Sequence, residues 1–490
     1  MLADLLQTLF ACRLGLALLL GLGCGAPQPS HAAPPPDARR PNVLFVVIDD
    51  MNDAIALLDP ANPIKTPNLE RLARRGVVFT RAYCASPACN PSRVAVLTGK
   101  RPSTTGVYGN KGAWRETMPD AVTLMQHFMS HGYRVEGAGK IFHHHLGGAF
   151  HDKGSFHRFL MMPDPPDKPM PAAKLNGFAW YGSPNTDWGV WPAASGTPVD
   201  VRTIDFCIER LREIDTGDRP FFLAAGLFRP HMPFFAPQQA FAHYPIDDVV
   251  MPETKDGDLD DLPTGALTLL GPKAWFFDGM MKADRQSPGA YRAAVQAYQA
   301  CSTFADAQLG RLLDALDASP QRDNTVIVLW SDHGYHLGEK RHMEKFALWE
   351  KTTRVPYIVA APGLAPGGGR CDRPVDLMSI YPTLIELCGL ERRPDLDGVS
   401  VVPLLKDPDG ASWDRPALMT YKRNNHAVRS DRWRYIRYAD ATEELYDHNV
   451  DPHEWNNVAA DPSNKATVDG HRQWLPEVNA APTKPLGRKR

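Results

Sequence analysis

The sequence predicts an α/β fold with a large mixed, mostly parallel sheet sandwiched by helices, followed by a small antiparallel-sheet subdomain. Three observations predict it. Continuous aliphatic and β-branched runs recur along the chain, as expected for buried strands of a parallel sheet. Segments with the apolar spacing of helices separate these runs, which is typical of helices covering both faces of a sheet. From about residue 411, short segments such as RYIRY and ATEELYDH replace both patterns.

The first elements can be assigned in chain order. Residues 42–48 (NVLFVVI) form the first buried strand. Thr66 and Pro67 are typical of an N-cap and of the first helical position. The segment 126–133 predicts a helix that ends at Gly132.

Two more buried strands are predicted over residues 220–227 and 325–330, and helical apolar spacing over 298–316 precedes the second of them. Residues 150–200 are rich in Pro, Gly, Ala and Trp, and 245–290 have a similar texture. Both regions therefore predict long insertions of irregular loops near the site.

The composition excludes some classes of partner. The 490 residues are 43% hydrophobic and 22% charged, and the formal net charge is −2. These values are typical of a soluble globular enzyme. We expect no nucleic-acid partner, because the whole molecule carries no strong positive field. An anionic substrate would have to be met by local cations.

The N-terminus has the features of a secretory signal. Arg13 precedes the apolar run LGLALLLGLG, and the segment 30–32 offers a small-residue cleavage site. The run is too short for a membrane span, and no later stretch is long and apolar enough. We therefore expect an exported, periplasmic or extracellular protein. A lipoprotein anchor at Cys24 is the alternative, although the usual large aliphatic residue three positions earlier is missing.

Together these patterns predict three parts of the chain. A signal peptide covers residues 1–33, a catalytic domain covers 34–410, and a small C-terminal α+β subdomain covers 411–490. The segment PPPDARRP, residues 34–41, has the composition of a linker between the leader and the fold.

Acidic residues follow two of the predicted strands. Asp49 and Asp50 come directly after the first strand, and Asp332 and His333 follow the strand 325–330. Open α/β sheets build their sites at the carboxyl ends of strands, so these residues are candidates for one site. The alternative is that the aspartates are turn or helix-cap residues.

The stretch CASPACNPSRVAVLTGK contains two cysteines whose role is open from spacing alone. Cys84 and Cys89 could form a structural pair or a metal clip, or one of them could do chemistry. Pro91 suits a first helical turn, which puts Cys89 at a helix N-terminus and Arg93 one turn further along. Such a cysteine is polarised toward anion chemistry; a buried, inert cysteine is the alternative. No Cys-x-x-Cys pair occurs, which disfavours a zinc ribbon.

The segment Cys89-Asn90-Pro91-Ser92-Arg93, with Thr98-Gly99 downstream, resembles the signature of the formylglycine-dependent sulfatase family, which has an alkaline-phosphatase-like fold. Other segments resemble the motifs of that family in the same order: Asp49-Asp50, GKIFH at 139–143, PHMPF at 230–234, SDHG at 331–334 and Lys345. The His of SDHG and the PHMPF segment are most similar to iduronate-2-sulfatase-like members. Arg229 stands where that branch has a lysine. This difference concerns the identity of the sugar and not the cleavage of sulfate.

The resemblance implies a cofactor and a modified residue. A formylglycine-generating maturation enzyme would oxidise Cys89 to formylglycine, which hydrates and attacks the sulfur of the substrate. One divalent cation, usually Ca²⁺, prefers oxygen ligands. The metal ligands implied by the resemblance are Asp49, Asp50, Cys89, Asp332 and His333.

The resemblance also implies catalytic roles for Cys89, Arg93, Lys140, His143, His231 and Lys345. The two lysines and His231 would contact the sulfate oxygens or the leaving oxygen, where negative charge grows. Arg93 would hold the nucleophile and the metal ligands. His143 would orient or deprotonate the second hydroxyl of the hydrated formylglycine. His144 and His145 follow directly, so the register could slip by one residue.

We therefore expect an exported sulfatase that hydrolyses a sulfate ester on a sulfated sugar, as in the degradation of sulfated polysaccharides. One alternative is a phosphate or phosphonate ester hydrolase of the same superfamily, because tetrahedral oxyanions resemble one another. The other is an inactive glycan-binding homologue with an unmodified Cys89. Formylglycine formation would exclude a disulfide between Cys84 and Cys89, because it consumes the Cys89 sulfur.

Overall fold

The structure is a computed structural model that describes residues 40–143, 150–163, 170–192, 195–214, 219–271, 274–364 and 367–485. The predicted signal peptide, Cys24, His144 and His145 lie outside the described residues.

A mixed sheet forms the centre of the fold, and in the described part of the chain it has eight strands. Numbered in chain order and taken across the sheet, they are β11 (Gly369–Cys371), β2 (Val77–Phe79), β10 (Tyr357–Ala360), β9 (Thr325–Ser331), β1 (Asn42–Asp49), β7 (Phe221–Pro230), β4 (Arg134–Gly139) and β5 (Arg158–Leu160). β10 runs antiparallel to both of its neighbours, and the remaining neighbours pair in parallel.

Three smaller sheets accompany it in the described residues. Two are short pairs: β3 (Ala82–Tyr83) with β12 (Val375–Asp376), and β6 (Trp188–Val190) with β8 (Phe234–Ala236). The third is antiparallel, in the order β13 (Ala417–Thr420), β14 (His426–Arg429), β15 (Trp433–Arg437) and β16 (Glu443–Asp447).

Helices pack on both faces of the central sheet and also against the C-terminal sheet. In the described residues they are α1 (Pro67–Ala73), α2 (Cys89–Thr98), α3 (Pro102–Thr105), α4 (Trp114–Thr117), α5 (Leu124–Ser130), α6 (Val199–Glu213), α7 (Gln238–Phe241), α8 (Thr264–Leu270), α9 (Ala274–Gln286), α10 (Ala290–Asp317), α11 (Glu350–Thr353), α12 (Ile380–Leu387), α13 (Val402–Lys406) and α14 (Lys465–Arg472).

Strand β1 explains why the sheet has two cores. All eight of its residues are buried, because successive side chains point to opposite faces and both faces are covered. Leu44 and Val46 pack in one core with α6 and α10. Val43 and Phe45 pack in the other with α2, α5 and α12.

The predicted fold class is confirmed, and the three predicted buried runs are β1, β7 and β9. Helix α5 begins with a capping box between Thr123 and Gln126 and ends before Gly132, close to the predicted bounds. Helix α1 begins at Pro67, but the side chain of Thr66 makes no capping hydrogen bond.

The prediction of irregular loops over residues 245–290 was wrong, because α8 and α9 occupy much of this region. Phe276, Met280 and Ala283 are buried, and they recur at helical spacing. Gly279 and the Gly-Pro pair before α9 obscured that spacing in the sequence.

No disulfide joins any two of the six described cysteines, all of which are buried. Burial raises the pKa of the Cys84 thiol well above its usual range, as expected for an inert packed residue. Among the described helices, none combines the length and the apolar character needed to cross a membrane.

Candidate active site

The ends of β1 and β9 bring the predicted acids together. Asp49 is the last residue of β1, and Asp50 follows with a left-handed backbone, φ 65°. That conformation is uncommon for residues other than glycine and needs support from its surroundings. The hydroxyl of Tyr298 provides it, because it donates to the Asp50 carbonyl at 2.6 Å and accepts from the Asn52 backbone N–H at 2.9 Å.

Asp332 joins these two aspartates from the neighbouring strand. Its Oδ1 accepts from the backbone N–H of Asp50 at 3.2 Å and from that of His333 at 3.0 Å. The His333 Nδ1–H donates to the Gly334 carbonyl at 3.0 Å, which leaves Nε2 facing the carboxylates. This Nε2 is 3.3 Å from Asp50 Oδ1 and 3.6 Å from Asp332 Oδ2.

Cys89 is the first residue of α2 and is fully buried at the centre of this group. Its Sγ lies 3.3 Å from His333 Nε2, 3.3 Å from Lys345 Nζ and 3.7 Å from Lys140 Nζ. The side chain of His143 also hydrogen-bonds to it. In an oxidised Cys89, oxygen atoms would replace this sulfur, so its contacts mark the surroundings of those oxygens.

Arg93 lies one turn further along α2 and connects several elements beneath Cys89. Its Nε donates to Asp332 Oδ2 at 2.7 Å and its Nη2 to Asp49 Oδ1 at 3.1 Å. Its Nη1 donates to the carbonyls of Lys140 and Ile141. Since the guanidinium is fully buried, these four acceptors compensate for its removal from water.

The two lysines of the site pair with different aspartates. Lys140 follows β4, and its Nζ donates to Asp49 Oδ2. Lys345 donates to both Asp50 carboxylate oxygens, at 2.8 and 3.1 Å. Both side chains are almost fully buried, unlike the solvated surface lysines that either position alone would suggest.

Phe228, near the end of β7, contacts three cationic or imidazole groups. Its ring centroid is 5.3 Å from Lys140 Nζ, 5.1 Å from Arg229 Cζ and 4.7 Å from the ring centroid of His231. Arg229 is buried and donates to the Phe235 carbonyl at 2.8 Å. Its hydrogen bonds therefore anchor the loop that carries His231.

The site strongly perturbs the pKa values of Cys89 and Asp49. Burial alone would raise both, but the neighbouring cations outweigh it. Lys140, Lys345 and His333 hold the pKa of the Cys89 thiol well below its usual range. Lys140, with His231 and Arg93, does the same for Asp49.

Asp332 and His333 are shifted in the opposite direction. Burial raises the pKa of Asp332 to about 7, although Arg93 opposes this shift. Burial would lower the pKa of His333, but the nearby Asp332, Cys89 and Asp50 raise it to about 9. Acidic and cationic side chains are therefore in direct contact in this pocket.

Two overlapping groups of side chains could hold a metal ion here. In each group, the potential ligand atoms all lie within 4.8 Å of one another. One group is Asp49, Asp50, Cys89 and His231, and the other is Asp49, Cys89, Asp332 and His333. Three carboxylates and one imidazole suit a hard divalent cation such as Ca²⁺. A further set in the described residues combines Glu350, His448 and Glu454. There the guanidinium of Arg434 pairs with both glutamates and that of Arg429 pairs with Glu350, so two cations already balance the two carboxylates.

The structure thus brings together all ten residues that the sequence singled out; their catalytic roles stay predictions. Sequence reasoning missed Tyr298, which supports Asp50, and Phe228, which contacts Lys140 and His231. It also missed the role of Ser92, whose hydroxyl donates to the Asp332 carbonyl at 2.6 Å. Tyr298 and Phe228 lie inside periodic elements, where nothing local separates them from ordinary core residues.

Known protein families match this chain over most of its length. The family model described as Sulfatase matches residues 41–390. A second model, described as N-sulphoglucosamine sulphohydrolase, C-terminal, matches residues 338–480.

Relatives and solved structures are consistent with these matches. The chain is 39% identical to a sulfatase of Formosa agariphila, over 91% of this chain and 88% of the relative. It is 28% identical to the iduronate 2-sulfatase of Homo sapiens, over 72% and 70%.

Two solved structures share the fold. One is BT1596, described as a 2-O GAG sulfatase, with a TM-score of 0.67, 23% identity and coverage of 89% of this chain and 90% of the other. The other is the phosphonate monoester hydrolase of Agrobacterium radiobacter, with a TM-score of 0.72, 22% identity and coverage of 89% and 94%.

Proposed function

This chain belongs to the sulfatase family and is a sulfuric ester hydrolase, and from that premise we propose that it removes a sulfate ester from a sulfated sugar. The observation that carries the proposal is the position of Cys89. A buried sulfur at a helix N-terminus, between two lysines, two histidines and three aspartates, suits a nucleophile that meets an anionic ester. The relatives named for iduronate 2-sulfate and 2-O GAG chemistry support a sulfated uronic acid unit as the substrate.

Formylglycine at position 89 and one bound Ca²⁺ complete the proposal. The residues that would hold the cation are Asp49, Asp50, Asp332, His333 and the modified Cys89. The donor set fits, because it combines several hard oxygen ligands with an imidazole whose Nε2 faces them. When bound, Ca²⁺ supplies positive charge that favours a deprotonated nucleophile and offsets the charge of the sulfate.

The residues of the chain can carry the remaining tasks. The Lys140 and Lys345 ammonium groups lie within 3.7 Å of the Cys89 sulfur and would donate to the sulfate oxygens as charge develops there. His143 hydrogen-bonds to the same side chain. It would remove the proton of the second hydroxyl of the hydrated formylglycine, and the loss of that proton would expel sulfate. The His231 Nδ1–H donates to the Met232 carbonyl at 2.5 Å, so Nε2 would be available to contact the leaving oxygen.

Mass spectrometry and sulfate release test the proposal. In protein produced with a formylglycine-generating maturation enzyme, the tryptic peptide 82–93 should carry an aldehyde at Cys89, and Ca²⁺ chelation should reversibly abolish activity. The Cys89→Ala variant should release no sulfate from defined sulfated mono- and disaccharides. Cys84→Ala is the matched control, since this packed cysteine contacts none of the site residues named above, and it should retain activity. Full activity of Cys89→Ala would refute the mechanism.

A phosphonate ester hydrolase is the second candidate, because the phosphonate monoester hydrolase shares the fold over 89% of this chain. The 39% identity to a sulfatase favours sulfate instead. Matched aryl sulfate and aryl phosphonate esters separate the two functions. We expect a higher kcat/KM on the sulfate, and the reverse order would favour the second candidate.

We also propose export, with removal of residues 1–33. N-terminal sequencing of protein recovered from the periplasm or medium tests it. A start near residue 33 supports cleavage by signal peptidase, whereas a lipid-modified start at Cys24 would favour the anchored alternative.

A further inference from the structure

A groove outside the catalytic pocket collects three tryptophan side chains. Trp413, Trp433 and Trp474 line a cavity of about 360 Å³ between the β13–β16 sheet and α14. A second cavity of about 220 Å³ shares Trp413 and Trp474 with it, so the two cavities are adjacent, and together they are here called the tryptophan groove.

The tryptophan groove is separate from the candidate active site. Arg101 lines its second cavity and lies just beyond the C-terminal end of α2, whereas Cys89 begins that helix. Ten helical residues rise roughly 15 Å, so the groove is about that far from the Cys89 end of α2. None of the ten candidate site residues lines either cavity.

The indole rings are held in place but remain accessible. Trp413 Nε1 donates to the Pro374 carbonyl at 2.9 Å. The Arg432 guanidinium covers Trp433 at 4.7 Å from the ring centroid. Trp474 keeps 43% of its surface exposed, so its ring is accessible to a ligand.

Polar groups complete the lining. Asp414 and Arg415 are adjacent and exposed, and neither makes an ion pair with any residue that the structure describes. The other acids are engaged: Asp431 accepts from Arg373 at 3.4 Å, and Asp376 pairs with Arg101 at 2.7 Å. The groove therefore offers flat aromatic faces beside one carboxylate and one guanidinium that are available for hydrogen bonding.

We propose that the tryptophan groove is a second, non-catalytic binding site for a glycan chain. Sugar rings have apolar C–H faces that pack on indole rings, and their neighbouring hydroxyls match the bidentate geometry of carboxylate and guanidinium groups. The charges available in the groove balance, which favours contact with the sugar rings rather than with the sulfate groups. The proposal rests on the proposed function, since a site about 15 Å from the reacting end helps only when the substrate is a polymer that both sites can hold.

The test compares polymer and small substrates in the matured, Ca²⁺-loaded enzyme. Affinity electrophoresis in gels containing ulvan, carrageenan, chondroitin sulfate or heparin, each with its desulfated form, identifies retained glycans. We expect Trp474→Ala to weaken retention at least tenfold. Added salt should have little effect on the part of the binding that this substitution removes. Arg415→Met should weaken the same retention. Both variants should raise KM on the retained sulfated polymer and leave kcat/KM on a small aryl sulfate unchanged.

Trp180→Ala is the matched control, because Trp180 is 46% exposed but stacks with Lys282 away from the groove. It should behave as the wild type. The proposal is overturned if the wild-type enzyme is retained by none of these glycans, or if Trp474→Ala and Arg415→Met are retained as strongly as the wild type. Hydrolysis of the aryl sulfate reports separately on the proposed function, so the two failures are distinguishable.

Discussion

At the scale of single residues, Arg93 has the most constrained position in the site. It is fully buried, and its guanidinium joins the ends of β1 and β9 to the backbone that follows β4. A lysine would keep the charge but not the planar fork that reaches several acceptors. The residue therefore sets the geometry of the acids as well as their charge.

We expect Arg93→Lys to lower kcat/KM on an aryl sulfate by about 100-fold or more, since displaced catalytic groups lose that much. The free energy of unfolding should fall by about 3 kcal/mol, because buried carboxylates lose partners. Urea denaturation and steady-state kinetics measure the two effects. Arg115→Lys, which disrupts a bidentate pair with Asp152 elsewhere, is the control and should keep its activity. Wild-type kinetics in Arg93→Lys would contradict this assignment.

The sequence could predict the acids, lysines and histidines of the site because a motif or a strand end marks each of them. It could not predict Tyr298 or Phe228. Their importance comes from tertiary contacts, with the Asp50 carbonyl and with Lys140 and His231. Asp50 itself was predicted, but its left-handed backbone was not, because that conformation depends on support from a distant helix.

At the scale of elements, the approach of β4 to β7 positions Lys140. Gly139 and Gly226 are paired across the two strands, and the Lys140 backbone N–H donates to the Gly226 carbonyl at 2.9 Å. A Cβ atom at Gly226 would lie 2.3 Å from the Lys140 carbonyl oxygen and 2.6 Å from its nitrogen. Since both are backbone atoms, the strand end would have to move.

Gly226→Ala should therefore reduce kcat on an aryl sulfate by about 100-fold through displacement of Lys140. A thermal melt of the same preparation separates this effect from simple loss of fold. Gly470→Ala in α14 is the control, since no other atom lies within 4 Å of a Cβ added there. It should keep full activity and stability. An active Gly226→Ala enzyme would show that the strand ends tolerate a wider spacing.

Strand β14 carries a buried histidine, from which we expect the C-terminal sheet to lose stability in acid. Burial lowers the pKa of His426 to about 4 from an ordinary value of 6.5. Between these values the unfolded chain binds a proton that the folded chain does not, so stability is present above pH 6.5 and is lost as the pH falls toward 4. The loss is on the order of 3 kcal/mol at its limit.

His426→Gln should flatten this part of the pH dependence, because glutamine has no proton to gain. Urea denaturation at pH 7.5 and at pH 4.5 measures the difference. The exposed His243→Gln is the control and should retain the wild-type dependence. An unchanged dependence in His426→Gln would mean that other groups govern the acid sensitivity.

The elements themselves were predictable to different degrees. Long apolar runs identified β1, β7 and β9, because buried parallel strands need side chains that are apolar on both faces. Helix α9 was missed because Gly279 interrupts its pattern and a Gly-Pro pair precedes it. Two-residue strands such as β3 and β12 have no sequence pattern, since pairing with each other defines them.

At the scale of the whole molecule, buried charges join the C-terminal sheet to the catalytic part of the chain. Arg434 of β15 pairs with Glu350 of α11 and with Glu454, and Trp349 Nε1 donates to Glu444 at 2.8 Å. One apolar cluster contains Ala88 beside Cys89 together with Met419 of β13. We therefore expect the predicted C-terminal subdomain, residues 411–490, to fold together with the catalytic part of the chain.

This connection predicts one cooperative unfolding transition for the folded chain in calorimetry. A chain that ends at residue 410 should be insoluble or inactive, since Glu350 would lose its buried partner and Trp349 its hydrogen bond. Arg434→Met should lower the free energy of unfolding by roughly 3–5 kcal/mol, because it removes the guanidinium that pairs with both buried glutamates. It should also reduce sulfatase activity, because Glu350 lies only five residues beyond Lys345. Arg432→Met, which removes an ion pair between the exposed Arg432 side chain and Asp447, should cost less than the loss of Arg434 and keep full activity. Two separate transitions, or an active chain ending at residue 410, would instead establish the C-terminal sheet as a domain of its own.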